Sequence, residues 1–221
     1  MNIIVAGGGK VGYYLVKALL EKKHKPIVIE IDPDVSRMIA NEMDIPVIRG
    51  DATKFETLCE ADTSKADVFV SVTGSDESNL IACQMAKNEF GVKKTVSKSN
   101  DPMNVPVMNA LGIDNVINST DNIASLIERE VDVSRIKELM QLNGDAVLLE
   151  VTCPDDYIYD GKMLMDLKLP QEINIVSITR NGRLVIPRGQ TMLKSNDKIL
   201  LISDENAVKH IRFGLKIKVK Q

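Results

Sequence analysis

Cysteine, histidine and long apolar runs are scarce in this 221-residue chain, and each shortage removes a class of function. The three cysteines, Cys59, Cys83 and Cys153, are widely spaced and form no Cys-x-x-Cys pair. Neither a zinc site nor a disulfide framework is therefore indicated, and a reduced, cytoplasmic compartment fits. Each cysteine is expected to act as a small buried hydrophobe. The two histidines, His24 and His210, fall in an early turn and in the last expected helix. No Ser-His-Asp set, metal-ligand cluster or P-loop is present in the sequence. A net charge of −3 lacks the basic footprint of a general nucleic-acid binder. No apolar run approaches the roughly 18 residues of a membrane span. Asn2–Ala6 reads as a strand from the outset, which leaves no room for a signal peptide. What remains has the composition of an ordinary globular protein, long enough for one large or two modest domains.

Up to about residue 120, strand-like and helix-like segments alternate. Asn2–Ala6 is a short apolar run, after which Val11, Tyr14, Leu15, Ala18 and Leu19 recur at helical spacing. Pro26–Glu30 returns to strand, and Asp32-Pro33 opens a second helix, proline being tolerated in a first turn. Further strands are expected over Ile45–Arg49, Asp67–Val72, Lys94–Lys98 and Asn115–Asn118. Helices are expected around Leu80–Met85, stopping at Gly91, and over Val105–Leu111. Strands joined by helices predict a parallel sheet covered on both faces, an α/β doubly wound fold of Rossmann type.

The pattern then changes. Ser119-Thr120-Asp121 supplies helix-capping residues. Ile123, Leu126, Ile127, Val131, Ile136, Leu139 and Met140 follow on one broad stripe, which predicts a single helix over 121–142. Its length suits a crossover or interface helix, and its stripe equally suits a core helix of one domain. From Ala146 the chain turns β-rich, with strands expected over Ala146–Val151, Ile173–Ile178, Leu184–Ile186 and Lys198–Ile202 and a last helix over Asp204–Arg212. Asn181-Gly182 between two of these runs is a hairpin signal, since a type I′ turn needs positive φ at both central residues. The expected organisation is a Rossmann domain over 1–134, including the start of the long helix, and a small α+β domain over 135–221.

Gly7-x-Gly9-x-x-Gly12 follows the first strand and opens the first helix, and Glu30 closes the second strand, the context that gives a dinucleotide fingerprint its meaning. Gly7 allows the tight turn, Gly9 lets a pyrophosphate approach the backbone, and Gly12 lets helix and strand pack closely. Phosphates would lie on the helix N-terminus. Glu30 would accept hydrogen bonds from a ribose diol and meet a 2′-phosphate badly, which disfavours NADP. Gly50-Asp51-Ala52-Thr53 follows the third strand, facing an adenine edge. Thr73-Gly74-Ser75-Asp76 follows the fourth, with Ser75 and Asp76 placed to cap a helix, contact ribose, or both. Lys98, at the end of the fifth strand, and Lys10, inside the glycine loop, are candidate phosphate ligands, Lys10 equally readable as a solvated side chain. Asp155, Asp156 and Asp160 read as a solvated loop. A nucleotide site without catalytic equipment points to sensing rather than turnover.

With both halves in view, the chain resembles the TrkA-like cytoplasmic regulatory subunits of bacterial and archaeal Trk/Ktr potassium-uptake systems, built from domains called regulator of conductance of potassium (RCK). The N-terminal resemblance rests on the run Ile3–Gly12, on Val28–Asp32, on Gly50–Thr53 and on Val72–Asn79, with its Val-Thr-x-x-Asp-Glu-x-Asn pattern. The C-terminal resemblance rests on Gly161, Leu164, Leu167, Leu169-Pro170, Ile175-Val176, Ile178, Arg180, Gly182, Pro187, Gly189, Thr191, Leu193 and Asp197. The resemblance implies a non-enzymatic subunit that binds NAD(H) or ATP/ADP and docks on a membrane potassium transporter at the inner face of the cell membrane. It implies homodimers, joined through the N-terminal domains and a crossover helix and assembled into a ring, tetramer or octamer. Carried over, it makes Gly7, Gly8, Gly9, Lys10, Val11, Gly12, Glu30, Asp51, Ala52, Thr73 and Lys98 the nucleotide-binding set, Lys10 leaning toward ATP or ADP. Some relatives bind cyclic di-AMP in the C-terminal subdomain, so the resemblance also admits that ligand there, with no residue of this sequence singled out for it. The alternatives are a small NAD-dependent oxidoreductase, or a C-terminal half detached from a larger channel polypeptide.

Overall fold

The first strand, β1 (Asn2–Ala6), dictates the architecture around it. Ile3 and Val5 join one apolar cluster, Ile4 and Ala6 another, and all four are buried. A strand that is apolar on both faces needs cover on both, which a parallel sheet with crossover helices provides. The computed structural model describes residues 1–131, 134–142, 145–167, 169–204, 211 and 215. It divides into two units, Met1–Ala124 and Ser125–Gln221.

In the first unit β1 is followed by α1 (Lys10–Glu21), β2 (Lys25–Glu30), α2 (Pro33–Met43), β3 (Val47–Arg49), a short α3 (Phe55–Glu60) and β4 (Val68–Ser71). Then come α4 (Asp76–Asn88), β5 (Thr95–Ser99), α5 (Asn104–Ala110) and β6 (Asn115–Asn118). The strands pair in parallel in the order β3-β2-β1-β4-β5-β6, the doubly wound Rossmann order. The chain winds outward from β1 to β3 and then returns to begin again at β4. The crevice at the carboxyl ends of β1 and β4 is thus the topological switch point, where open α/β sheets bind ligands. One face is covered around Ile4, Ile29, Leu58, Phe69 and Met108, the other around Ile3, Val5, Val16, Val28 and Ile39. Burying each large side chain contributes about 1.5–3 kcal/mol.

Local chemistry sets the helix starts. Asp32 caps α2 by accepting from the backbone N–H groups of Asp34 and Val35, with Pro33 in the first helical position. Ser75 caps α4 by accepting from Ser78 N at 3.2 Å. The next helix, α6 (Ser119–Val131), begins in this unit and is capped by Asn118, whose Oδ1 accepts from Asp121 N at 3.1 Å. The cap therefore lies one residue ahead of the expected Ser-Thr-Asp trio. Ser119 and Thr120 instead turn their hydroxyls back toward the end of β5.

The helix expected over 121–142 is corrected: α6 ends at Val131, and Ile136–Gln141 is a strand, β7. It pairs antiparallel with β8 (Ala146–Thr152), which sets Lys137 opposite Glu150. Opposite charges in register favour that pairing. The rest of the second sheet is β9 (Ile173–Arg180), β10 (Arg183–Val185) and β11 (Lys198–Asp204), in the order β10-β9-β11-β8-β7. Val147, Leu149 and Val151 alternate inward along β8 and meet Ile199 and Leu201 of β11 and Ile178 of β9. Asn181 and Gly182 both have positive φ, 50° and 73°, and close the β9–β10 hairpin as expected. Arg180 grips Asp197 with two hydrogen bonds of 2.7 Å, and Asp197 also accepts from Lys194 N. The helix expected over Asp204–Arg212 lies outside the described residues, apart from Asp204, which ends β11, and the buried Ile211.

Candidate functional site

A cavity of about 370 Å³ opens at the switch point. Its walls are the ends of β1, β2, β3 and β4: Gly7 and Gly9, then Glu30 and Ile31, then Gly50 to Thr53, then Val72 to Gly74, with Ser78 from α4. The volume is in the range of small-molecule sites, roughly 300–1,000 Å³. A larger cavity of about 480 Å³ lies at the opposite, amino ends of β1 and β2, lined by Leu20, His24, Pro26 and Ile45 among others. It is mainly apolar, though Asn2, His24, Lys25, Asp62 and Lys65 reach its lining, and it lies at the end of the sheet opposite the switch point, where open α/β sheets bind their ligands.

Gly7 has φ +102°, and a Cβ there would come within 3.0 Å of Thr73 N. A Cβ on Gly12 would lie 1.9 Å from Gly7 O, so α1 can pack this closely on the loop only with glycine at that position. A Cβ on Gly9 would meet nothing within 4 Å, so the loop backbone is open to an incoming group on that side. Gly9 caps α1, and among the described residues no side chain bonds to the first-turn amides of that helix. Backbone N–H groups at an uncapped helix start favour an anion.

Glu30 is 9% exposed and held at both oxygens: Gly8 N donates to Oε2 and Asp32 N to Oε1. Gly8 therefore contributes through Glu30 and does not itself line the cavity; a Cβ there would crowd Ile39 and Glu30. Each of its oxygens can accept a further bond, and Glu30 lines the cavity. Asp51 accepts from both the N–H and the hydroxyl of Thr53, and the backbone bond foremost holds its carboxyl below the usual range. Ala52 is buried beside it.

The β4 wall is organised by a residue that no site expectation included. Asn79 is fully buried, and its Oδ1 accepts from Ser71 Oγ, Thr73 N and Thr73 Oγ1 at 2.7–2.8 Å. Its Nδ2 donates to Lys98 O at 3.0 Å. Thr73 is thus placed by Asn79. Lys98 contributes its carbonyl to that network, and its side chain is not among those lining the cavity. Lys10 and Val11 are exposed in the first turn of α1 and Gly12 is buried behind the loop, so none of these three forms the cavity wall.

Asp76 neither caps α4 nor faces the cavity. It accepts from Ser99 Oγ, from Asn100 N and Nδ2, from Asp101 N and from Asn104 Nδ2. Burial opposes its charge, but these bonds, with Asn104 foremost, win and hold the carboxyl at about 2. The sequence held the signal in Asp76 and the polar run Ser99–Asn104, but only the fold brings them together. Two of the three cysteines match expectation: burial pushes Cys83 and Cys153 up to about 12. Cys59 is instead exposed on α3. Among the described residues no cluster of His, Cys, Asp or Glu could hold a metal ion, and no helix is long and apolar enough to cross a membrane.

Residues 3–119 match the TrkA-N domain and residues 148–212 the TrkA-C domain. The chain is 35% identical over 218 residues to the Trk system potassium uptake protein TrkA homolog of Archaeoglobus fulgidus, covering 96% of this chain and 49% of that one. It thus spans about half the length of that relative. The corresponding homolog of Methanothermobacter thermautotrophicus is 32% identical over 210 residues, covering 95% of this chain and 96% of that one. Among solved structures, the GsuK channel is similar over 100% of this chain, with a TM-score of 0.73 at 14% identity, the match covering 40% of that channel chain. The same channel bound to NAD gives 0.69 at 15% identity, with the same coverage of each chain. At those identities the likeness is one of fold.

Proposed function

Because the chain belongs to the TrkA family of potassium-uptake proteins, we propose that it is a nucleotide-sensing regulatory subunit that gates a membrane potassium transporter. The observation that carries this reading is the pairing, in one cavity, of an open, uncapped helix start at Gly9 with a carboxylate fixed in place at Glu30. Phosphates would lie against the α1 amides and a ribose diol against Glu30, with Asp51 and Ala52 at the adenine edge and Thr73 closing the far wall. The nucleotide is NAD(H) or ATP/ADP, all of which present an unmodified ribose. Lys10, exposed beside the loop, is available to a terminal phosphate. A channel of the same fold bound to NAD supports a nucleotide as the ligand class.

The reading is regulatory rather than catalytic: the two carboxylates in the cavity lining, Glu30 and Asp51, are each engaged by backbone N–H donors, which suits holding a ligand in place. Ile123, Leu126, Ile127 and Val131 lie at helical spacing on α6, each more than half exposed. An apolar stripe of that kind suits a second copy of the chain, and a ring of such dimers would carry the signal to the transporter on the cytoplasmic side. A nucleotide gates only if it binds one state of the assembly more tightly than the other.

A thermal-shift panel of NAD, NADH, ATP, ADP and AMP tests the site. A ligand at a hundredfold excess over its dissociation constant stabilises the folded chain by about 2.7 kcal/mol, and Glu30→Ala is expected to lose most of that gain. No shift with any nucleotide, or an undiminished shift in Glu30→Ala, would contradict the assignment.

A further inference from the structure

Behind the cavity wall lies a chain of hydrogen bonds that nucleotide binding itself does not require. Gly74 lines the cavity. Its carbonyl accepts from Asn100 Nδ2 at 3.2 Å, and the same amide donates to Asp76 at 2.9 Å. The backbone carbonyl of Asn100 in turn accepts from Thr120 Oγ1 at 2.5 Å, in the first turn of α6. A parallel strand of the network runs through Ser99, whose hydroxyl donates to Asp76 and whose carbonyl accepts from Ser119 Oγ at 3.0 Å. One residue, Asn100, therefore touches the wall of the nucleotide cavity with its side chain and the start of α6 with its backbone. The helix that begins at these contacts continues past Ala124, where the first unit ends, into the second.

We infer that Asn100 and Thr120 are the positioning residues through which occupancy of the nucleotide cavity sets the start of α6. The inference rests on the nucleotide reading proposed above. The physical basis is that a loop fixed by several bonds moves as a unit. Asp76 receives five hydrogen bonds and stays charged, so it locks Ser99, Asn100 and Asp101 to the start of α4. A ligand that draws in or pushes out the Thr73–Gly74 wall displaces Asn100, and with it the acceptor on which Thr120 depends. Loops packed this way have discrete arrangements rather than a continuous give. Coupling of this kind typically amounts to a 5–150-fold effect and is reciprocal between the two places.

Hydrogen–deuterium exchange on the full chain, with ADP and NADH as the probes and calorimetry on the same samples, tests this. In the wild type either nucleotide is expected to change exchange in the first turn of α6 by about fivefold or more. Thr120→Val, which lies outside the cavity, is expected to bind the same nucleotide within about twofold of wild type while losing that response. Thr120→Ser, which restores the hydroxyl, is expected to recover it; a purely structural role would not tie the response to the hydroxyl in this way. Asn100→Ala is expected to lose the response as well. Nucleotide that binds the wild type without altering α6, or a full response in Thr120→Val, overturns the inference and leaves the binding site standing. Absence of calorimetric binding to the wild type overturns the binding reading, and this inference with it.

Discussion

The two units bury polar groups for different ends. In the second unit Asp197 is completely buried, and its bonds go to Arg180 and the Lys194 backbone, a staple within one sheet. In the first unit Ser71, Asp76, Asn79 and Ser99 are buried together at the carboxyl ends of β4 and β5, beside the open cavity. Buried polar groups are costly unless every bond is made, so where they accumulate is informative. A single satisfied pair holds a fold in register. A connected cluster next to a cavity fixes the geometry of a wall and can pass on its displacement.

The comparison fails if the staple also matters to the site. Asp197→Ala removes the carboxylate from Arg180, whose guanidinium keeps only the Met192 carbonyl, and is expected to destabilise the second unit by about 3 kcal/mol in denaturant unfolding. Nucleotide affinity at the first unit should stay as it was. A matching loss of affinity would show that the two kinds of buried polarity are not separable.

Asp76 offers the next largest effect. Its folded pKa of about 2 lies below the ordinary aspartate value, so its stabilisation is fully present above about pH 4. It is lost as pH falls through the folded value toward 2, where the unfolded chain has already taken up its proton. The contribution at neutral pH is about 2 kcal/mol. Asp76→Asn presents an amide to a ring of donors. It is expected to lower the denaturant midpoint at pH 7 and to flatten the stability profile between pH 4 and 2. An unchanged profile would remove Asp76 from the account of the wall.

The smallest effect concerns the thiols. Each unit buries one cysteine, Cys83 and Cys153, and burial raises both. Thiol titration of the native chain near pH 8 is expected to modify one residue, Cys59, with the other two reacting only on unfolding. Fast reaction at Cys83 would mean that the first unit opens more readily than its packing implies.

Much of this was legible in the sequence because the signals were local. The glycine loop, the Asp32-Pro33 helix start and the Asn181-Gly182 hairpin each depend on residues within a few positions of one another. The helix expected over 121–142 failed for the complementary reason. Ile136, Leu139 and Met140 continue a helical stripe on paper, but β8 offers Ile136–Gln141 a pairing partner, with Glu150 opposite Lys137. Asn143-Gly144, directly after the expected helix, is the same dipeptide that marks the hairpin at 181–182; the pair itself lies outside the described residues. At the site, Gly7, Gly9, Glu30, Asp51, Ala52 and Thr73 come together around one cavity. The roles of Asp76 and Asn100 were not readable, because their partners lie 20 to 28 positions away and meet only when the ends of β4, β5 and β6 come together; Asn79 meets Thr73 six positions back, but its bond to Lys98 also waits on the pairing of β4 with β5.

The most direct test of the proposed site compares NADH with NADPH by calorimetry on the wild type and on Glu30→Ala. A carboxylate pinned by two backbone N–H groups cannot swing away from a 2′-phosphate. NADH is therefore expected to bind the wild type at least about tenfold more tightly than NADPH, a difference of about 1.4 kcal/mol, and Glu30→Ala to erase that preference. Equal binding of the two by the wild type, or an unaltered preference in Glu30→Ala, would contradict this site.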